Sequence, residues 1–287
     1  MAFRAYGGLR PVRRPIFVIG AARSGTTVLT RMLAQTSQVV DWSEASQVWD
    51  PVGYPWEADK VRRPQFGLDP QAYMDSVLAT NSPAYFRAVP GIFAMHLASQ
   101  PGRRGPVRLV NKSAMHPLRI DLIESLFPDA CYVNIYRDPR AVVRSYVEKT
   151  VAKLPRHPRS GIIEKPGGRP EYNVDGRKYT WLEMVEAVAR AYDYIVCGQM
   201  ERMEEVPEAR KISVRYEEMA ADLHALLRQI DQKFGLDSAG RDWSQVPERL
   251  TSRNTKYLDE YGPEEISLIL AACSESMARL GYLREGA

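Results

Sequence analysis

The residues best suited to chemistry form one run, P-I-F-V-I-G-A-A-R-S-G-T-T, over positions 15–27. An apolar strand there enters a loop bracketed by Gly20 and Gly25, and the loop opens an amphipathic helix. Glycine lets the backbone turn sharply, so the amides of Arg23, Ser24, Gly25, Thr26 and Thr27 converge on one spot. The positive end of the helix dipole adds attraction for an anion. This is a phosphate grip. A nucleotide-hydrolase loop of the Walker A type would place Lys directly after the second Gly, then Ser or Thr to hold Mg²⁺. Here Thr26 follows Gly25, and the cation, Arg23, comes earlier. Such a loop holds a phosphate without a metal-bound triphosphate, and no metal requirement is expected. The plain alternative is a glycine-rich turn of an ordinary Rossmann-like sheet.

A second anion site is spelled by C-Y-V-N-I-Y-R-D-P-R-A-V-V-R-S-Y-V over 131–147. A buried strand ends at Tyr136, and Arg137 follows where the chain leaves the sheet. Asp138 can cap the next helix, with Pro139 in its first turn. Ser145 lies about two helical turns further on. An Arg at a strand end and a Ser on the adjoining helix can grip the same phosphate oxygens. The competing reading makes Arg137–Asp138 a local ion pair and Ser145 a surface residue. Taking Asp138 as a Walker B acid would set Arg137 beside the metal, which counts against it.

These groups need a scaffold. Apolar runs at Ile16–Ile19, Val107–Val110, Cys131–Tyr136 and Ile212–Val214 read as buried strands, each leading into polar residues and then a helical pattern. That alternation predicts an α/β fold of the P-loop type: a central parallel sheet flanked by helices, with ligands at the carboxyl ends of the strands. Apolar stripes at 3–4 spacing, such as Leu223, Leu226, Leu227, Ile230 and Phe234, mark helical core faces. A single domain over 15–287 is expected, preceded by a flexible basic tail over 1–14. Two stretches break the pattern. Residues 50–70 mix prolines with Trp56 and Phe66 and read as an irregular loop. Residues 154–179, rich in Pro, Gly and basic residues, read as a long lid-like loop.

The chain has 287 residues, 26% of them charged, and a net charge of +4. That suits an anionic ligand but is too weak to argue for nucleic acid, which is not expected as a partner. The three cysteines, Cys131, Cys197 and Cys273, are scattered in apolar patterns and read as reduced core residues. No apolar run reaches membrane-spanning length, and a cytoplasmic enzyme is the default expectation.

Two phosphate grips on neighbouring strand ends imply a ligand phosphorylated at both ends. Here the sequence resembles the sulfotransferases that use 3′-phosphoadenosine-5′-phosphosulfate (PAPS). In that family the strand–loop–helix holds the 5′-phosphosulfate, and an Arg…Ser pair after a later strand holds the 3′-phosphate. The A-R-S-G-T-T spelling, with Arg, looks closer to the tyrosylprotein-type and bacterial branch than to enzymes carrying Lys there. Asn111-Lys112 is similar to that branch's N-K element. Val214-Arg215-Tyr216-Glu217 resembles the R-Y-E element whose Tyr lies near the adenine. Met277-Ala-Arg-Leu-Gly-Tyr282 resembles the closing helix. The segment 249–256 is loosely similar to the late cofactor-closing segment. The resemblance makes Arg253 a cofactor contact there and leaves Thr251 and Ser252 both open for its serine role.

The resemblance further implies PAPS as donor, the desulfo nucleotide PAP as product, and Glu44 as the base, in V-V-D-W-S-E-A-S just past the P-loop helix. A carboxylate serves as base toward a hydroxyl if proton transfer accompanies attack, and burial would strengthen it. Asp41 is the nearest rival, and His116 is a weaker candidate. Arg23 and Lys112 would stabilise the leaving oxygen as charge builds. Sulfuryl transfer then rests on positioning and electrostatics. The expected acceptor is a hydroxyl of a glycan, lipid or other small molecule. A P-loop kinase or nucleotide-binding protein is the alternative, and the absent Walker Lys argues against it.

Overall fold

The computed structural model describes residues 9–51, 68–100, 106–149, 161–163, 168–174, 176–252 and 254–283. The chain runs β1 (Ile16–Ile19), α1 (Thr26–Leu33), β2 (Val39–Asp41), α2 (Ser46–Trp49), α3 (Pro70–Thr80), α4 (Pro83–Ala98), β3 (Arg108–Lys112), α5 (Ile120–Leu126), β4 (Cys131–Tyr136) and α6 (Pro139–Lys149). It continues through β5 (Gly161–Ile163), β6 (Glu171–Val174), β7 (Arg177–Tyr179), α7 (Trp181–Glu204), β8 (Lys211–Arg215), α8 (Tyr216–Ala221), α9 (Leu223–Phe234), α10 (Tyr257–Glu260), α11 (Pro263–Ala272) and α12 (Ser274–Arg279).

Five strands form a parallel sheet in the order β2-β3-β1-β4-β8. Every residue of β1, β3 and β4 is buried, because helices cover both faces. One face carries α1, α8 and α9 through Leu29, Leu33, Met219, Leu227 and Ile230. The other receives α4 and α5 through Val89, Phe93, Ile120 and Ile123. A further cluster joins α6, α7 and α11 through Val143, Val185, Val188 and Ile269.

Strand order decides where the ligand goes. β1 sits between β3 and β4, with Val18 opposite Lys112 on one side and Ile19 opposite Asn134 on the other. The chain runs from β1 outward in both directions, so a crevice opens beyond its carboxyl end. The loop after β1 is therefore flanked by the residues that leave β3 and β4.

The expected strands appear, with β3 shifted to Arg108–Lys112 and β8 extended to Lys211–Arg215. β2 is an addition; three residues are too few to show a period in sequence. The segment 154–179 departs from a plain loop. Among its described residues, β5, β6 and β7 pair antiparallel into a small sheet, with Tyr172 and Tyr179 buried against Trp181 and its neighbours. The proposed tail also differs: Val12 is buried, and the Arg14 carbonyl accepts a 2.6 Å bond from Arg108 Nε. The irregular 50–70 stretch lies largely outside the described residues, as does Arg253. No helix among the described residues is long and apolar enough to cross a membrane.

The P-loop helix is anchored at its far end by a buried ion pair. Arg241 and Asp231 are fully enclosed, and Arg241 Nε lies 3.1 Å from Asp231 Oδ2. Arg241 Nη1 also donates to the carbonyls of Met32 (2.6 Å) and Leu33 (3.2 Å), closing the C-terminus of α1. Removing one partner of such a pair strands a buried charge, whereas an apolar replacement of both avoids that cost. Arg241→Ala should lower unfolding free energy by about 3–5 kcal/mol in urea titrations. The Arg241→Met/Asp231→Leu double variant should lose clearly less.

Candidate active site

The loop after β1 approaches the sheet more closely than a side chain permits. A Cβ on Gly20 would lie 2.7 Å from the Ile135 carbonyl oxygen and its Cγ2. Gly25 sits at φ +94°, and its Cβ would meet the Tyr216 ring at 2.6 Å. Both positions demand glycine, one for close approach and one also for backbone sign. Arg23 adopts φ 70°, an uncommon state for a residue with a side chain. The first α1 bond in this region runs from Leu29 N to the Gly25 carbonyl (3.1 Å), so the amides at the helix start have no intrahelical acceptor. Thr26 is buried and Thr27 exposed.

The two sequence-predicted cradles meet. Arg137 Nη1 donates to the Arg23 carbonyl at 2.7 Å, and Arg23 Nε donates to Ser145 Oγ at 3.1 Å. The Arg137 guanidinium lies 4.0 Å from the centre of the Tyr216 ring, a cation–π stack. Burial lowers the pKa of Arg137, and the charge of Arg23 lowers it further. Burial likewise lowers that of Arg23. Both guanidinium groups still remain protonated at neutral pH. Two cations are thus crowded beside free helix amides. Ser24 Oγ, in a side chain 1% exposed, has no partner among the described residues. A phosphate-bearing ligand fits this arrangement, because it would satisfy the hydroxyl and relieve the crowding.

Sequence reasoning missed what holds Arg137. Arg137 Nε donates to Asn254 Oδ1 (2.8 Å), and Asn254 Nδ2 donates to Glu217 Oε1. Glu217 also accepts from the Asp138 amide (3.2 Å) and from the Tyr282 hydroxyl (2.8 Å). Tyr192 OH donates to the Arg137 carbonyl (2.5 Å). The R-Y-E element, the late segment and the closing helix are therefore one support for Arg137. A lone polar Asn in a loop carries no sequence signal for that role. Thr251 and Ser252 are exposed, and Ser252 Oγ accepts from the Asn254 amide at 3.3 Å.

On the other side of β1, Lys112 Nζ pairs with Glu44 Oε1. The lysine side chain is 6% exposed and that of Glu44 51%, so burial does not strengthen Glu44 as a base. Its backbone is constrained instead. Glu44 (φ 65°) and Ala45 (φ 37°) are consecutive left-handed residues, and the Glu44 amide donates to the Lys112 carbonyl at 2.6 Å. Two such residues in succession cost roughly 1–3 kcal/mol each, and strain of this kind concentrates at functional sites. Asp41 is exposed and its Oδ1 accepts from Ser43 Oγ (2.5 Å).

Asn111 sets this loop. Its Oδ1 accepts from Trp49 Nε1 at 3.1 Å, and its Nδ2 donates to the Trp42 carbonyl. Indole is a donor only, so the atom facing it is the amide oxygen. His116 Nε2, 2.7 Å from the same oxygen, must then carry the proton and donate. His116 is fully buried against Phe17 and Trp49. Burial, then the charges of Arg119 and Lys112, push its pKa well below 6.5. It is a structural donor, which removes it as a base candidate.

A profile described as the sulfotransferase family matches residues 15–240, and the chain belongs to that family. It is accordingly a sulfuryl transferase of the EC 2.8.2 type. Sulfotransferase STF9 from Mycobacterium avium aligns at TM-score 0.62 and 17% identity, covering 94% of this chain and 77% of that one. The sulfotransferase domain from the curacin biosynthetic pathway aligns at 0.54 and 15%, covering 96% and 99%. The corresponding domain of the Synechococcus PCC 7002 olefin synthase aligns at 0.50 and 17%, covering 91% and 95%. These similarities show the fold. No curated protein matches by sequence.

The His116 imidazole gives a pH signature. Unfolded histidine binds a proton below about pH 6.5, whereas the buried ring does not, so stability falls as pH drops through that range. The expected contribution is a slope of up to ~1.4 kcal/mol per pH unit between pH 6.5 and 5. Urea unfolding of the parent and of His116→Gln should show that slope reduced in the variant.

Proposed function

We propose that the donor is PAPS, that Glu44 is the general base, and that the acceptor is a hydroxyl on a glycan, lipid or other small molecule. The observation that carries the donor reading is the 2.7 Å bond from Arg137 to the P-loop backbone at Arg23. It sets the two cationic groups side by side, which supports one ligand that carries two phosphate-type groups. PAPS supplies a sulfuryl group joined to a phosphate that leaves as part of PAP.

The chain does the rest by position and charge. Arg23, Ser24, Gly25, Thr26 and Thr27 form the 5′ cradle, while Arg137 and Ser145 form the 3′ cradle. Tyr216, stacked on Arg137, stands near the adenine by family resemblance. Arg253 stands as a cofactor contact by family resemblance and lies outside the described residues. Glu44 takes the proton from the acceptor hydroxyl, and Lys112 holds the Glu44 carboxylate in place beforehand. Once Glu44 is protonated, the Lys112 charge is released toward the leaving oxygen, where Arg23 adds to it. The kinase alternative has no support: the residue after Gly25 is Thr26, and no Walker-type Lys follows it.

Glu44→Gln keeps the shape and removes the base. Turnover should fall by about 10²–10⁴-fold, with PAP affinity by calorimetry nearly unchanged. A parallel loss of PAP binding would assign Glu44 to nucleotide binding instead. Arg137→Ala should weaken PAP by about 10–100-fold, the worth of charge-assisted bonds to a phosphate. Adenosine-5′-phosphosulfate, lacking the 3′-phosphate, should lose much less, and equal losses would separate Arg137 from that group.

A further inference from the structure

A second basic cavity lies at the opposite pole of the sheet, where strands begin. It is a cleft of about 600 Å³ between residues 9–14, the end of α4, the start of β3 and the end of α9. That volume is within the range of small-molecule sites. Arg10, Arg13, Arg14 and Arg108 line it, and its described lining holds no carboxylate. The remaining wall is mostly apolar, with Leu97, Val107, Phe234 and Leu236. β1 separates the cleft from the P-loop by four residues of extended chain, roughly 13 Å.

Three observations set this cleft apart from a solvated basic surface. Arg108 is 9% exposed, and its guanidinium is spent on the carbonyls of Arg14 (2.6 Å) and Phe234 (2.8 Å). Its remaining Nη2 has no partner among the described residues. Arg14 sits at φ 45°, and its guanidinium reaches the Cys131 sulfur at 3.9 Å, so it is held beside Arg108. Exposed Arg10 and Arg13 have no ion-pair partner among the described residues.

We infer that this cleft is a ligand site, separate from the donor crevice, for an amphipathic oxyanion: a phosphate or carboxylate head among Arg10, Arg13 and Arg14, with a short aliphatic tail against Leu97, Val107 and Leu236. The head group meets several guanidinium forks and the tail covers the apolar wall. Neither half of the ligand alone satisfies both. The donor nucleotide is a poor match, because both its anionic groups are carried on one ribose and it has no aliphatic tail for the apolar wall.

The test uses the full chain and decyl phosphate below its micelle concentration, measured by calorimetry with and without saturating PAP. Decyl phosphate should bind equally in both conditions, while inorganic phosphate and decanol should each bind at least about tenfold more weakly, as expected when head and tail each contribute. Arg13→Gln/Arg14→Gln should weaken decyl phosphate at least tenfold and leave PAP affinity intact. Ala98→Trp, which adds bulk to the cleft from α4 and removes no arginine, should do the same. Displacement of decyl phosphate by PAP would place it in the donor crevice and overturn the inference. So would affinity unchanged in both variants, or no binding at all. PAP binding in the same titrations reports on the donor site independently.

Discussion

The active centre depends on one arginine held against one loop. Arg137 leaves β4 beside the P-loop strand and bonds to the Arg23 carbonyl, so the second proposed cradle is built onto the backbone of the first. Everything around it serves that contact. Asn254 orients the guanidinium, Glu217 orients Asn254, and Tyr282 orients Glu217. Tyr216 supports the guanidinium face, and Gly25 is a glycine because that ring lies against it. A positive group buried this thoroughly is costly unless its donors are used. The network uses Nε on Asn254 and Nη1 on the Arg23 carbonyl.

The same logic explains the asymmetry across β1. On the β4 side the chain accumulates cations and a hydroxyl without a partner among the described residues, a surface complementary to phosphate. On the β3 side it places a carboxylate on a lysine, with a backbone bent into the left-handed region at Glu44 and Ala45. That bend is sustained by Asn111, whose amide joins the Trp42 carbonyl, Trp49 and His116 in one buried knot. Half-exposed Glu44 can meet an acceptor, while fully enclosed His116 cannot. Accessibility and hydrogen-bond commitment separate the two base candidates, although both residue types are common bases.

A buried ion pair lies behind the loop. The Arg241–Asp231 pair locks the C-terminus of α1, and the amides at the start of the same helix have no intrahelical acceptor. One end is satisfied by protein and the other left for a partner. A loop held in position beforehand would lower the ordering cost of the proposed donor.

Much was legible in the chain alone, because the signals were local. The apolar runs gave β1 and β4 with their observed ends, and glycine placement and strand ends marked Arg23, Arg137 and Ser145, which the fold brings together, as candidates for anion binding. The order β2-β3-β1-β4-β8 was not readable, since strand neighbours are chosen by long-range packing. Nor was the short β2, the pairing of β5 to β7, or the packing of residues 9–14 onto the sheet. Residue types announce what chemistry a chain can do. Only tertiary contacts decided that Asn254 would hold Arg137, that Lys112 would hold Glu44, and that His116 would be sealed away, because each joins residues whose proximity no local pattern encodes.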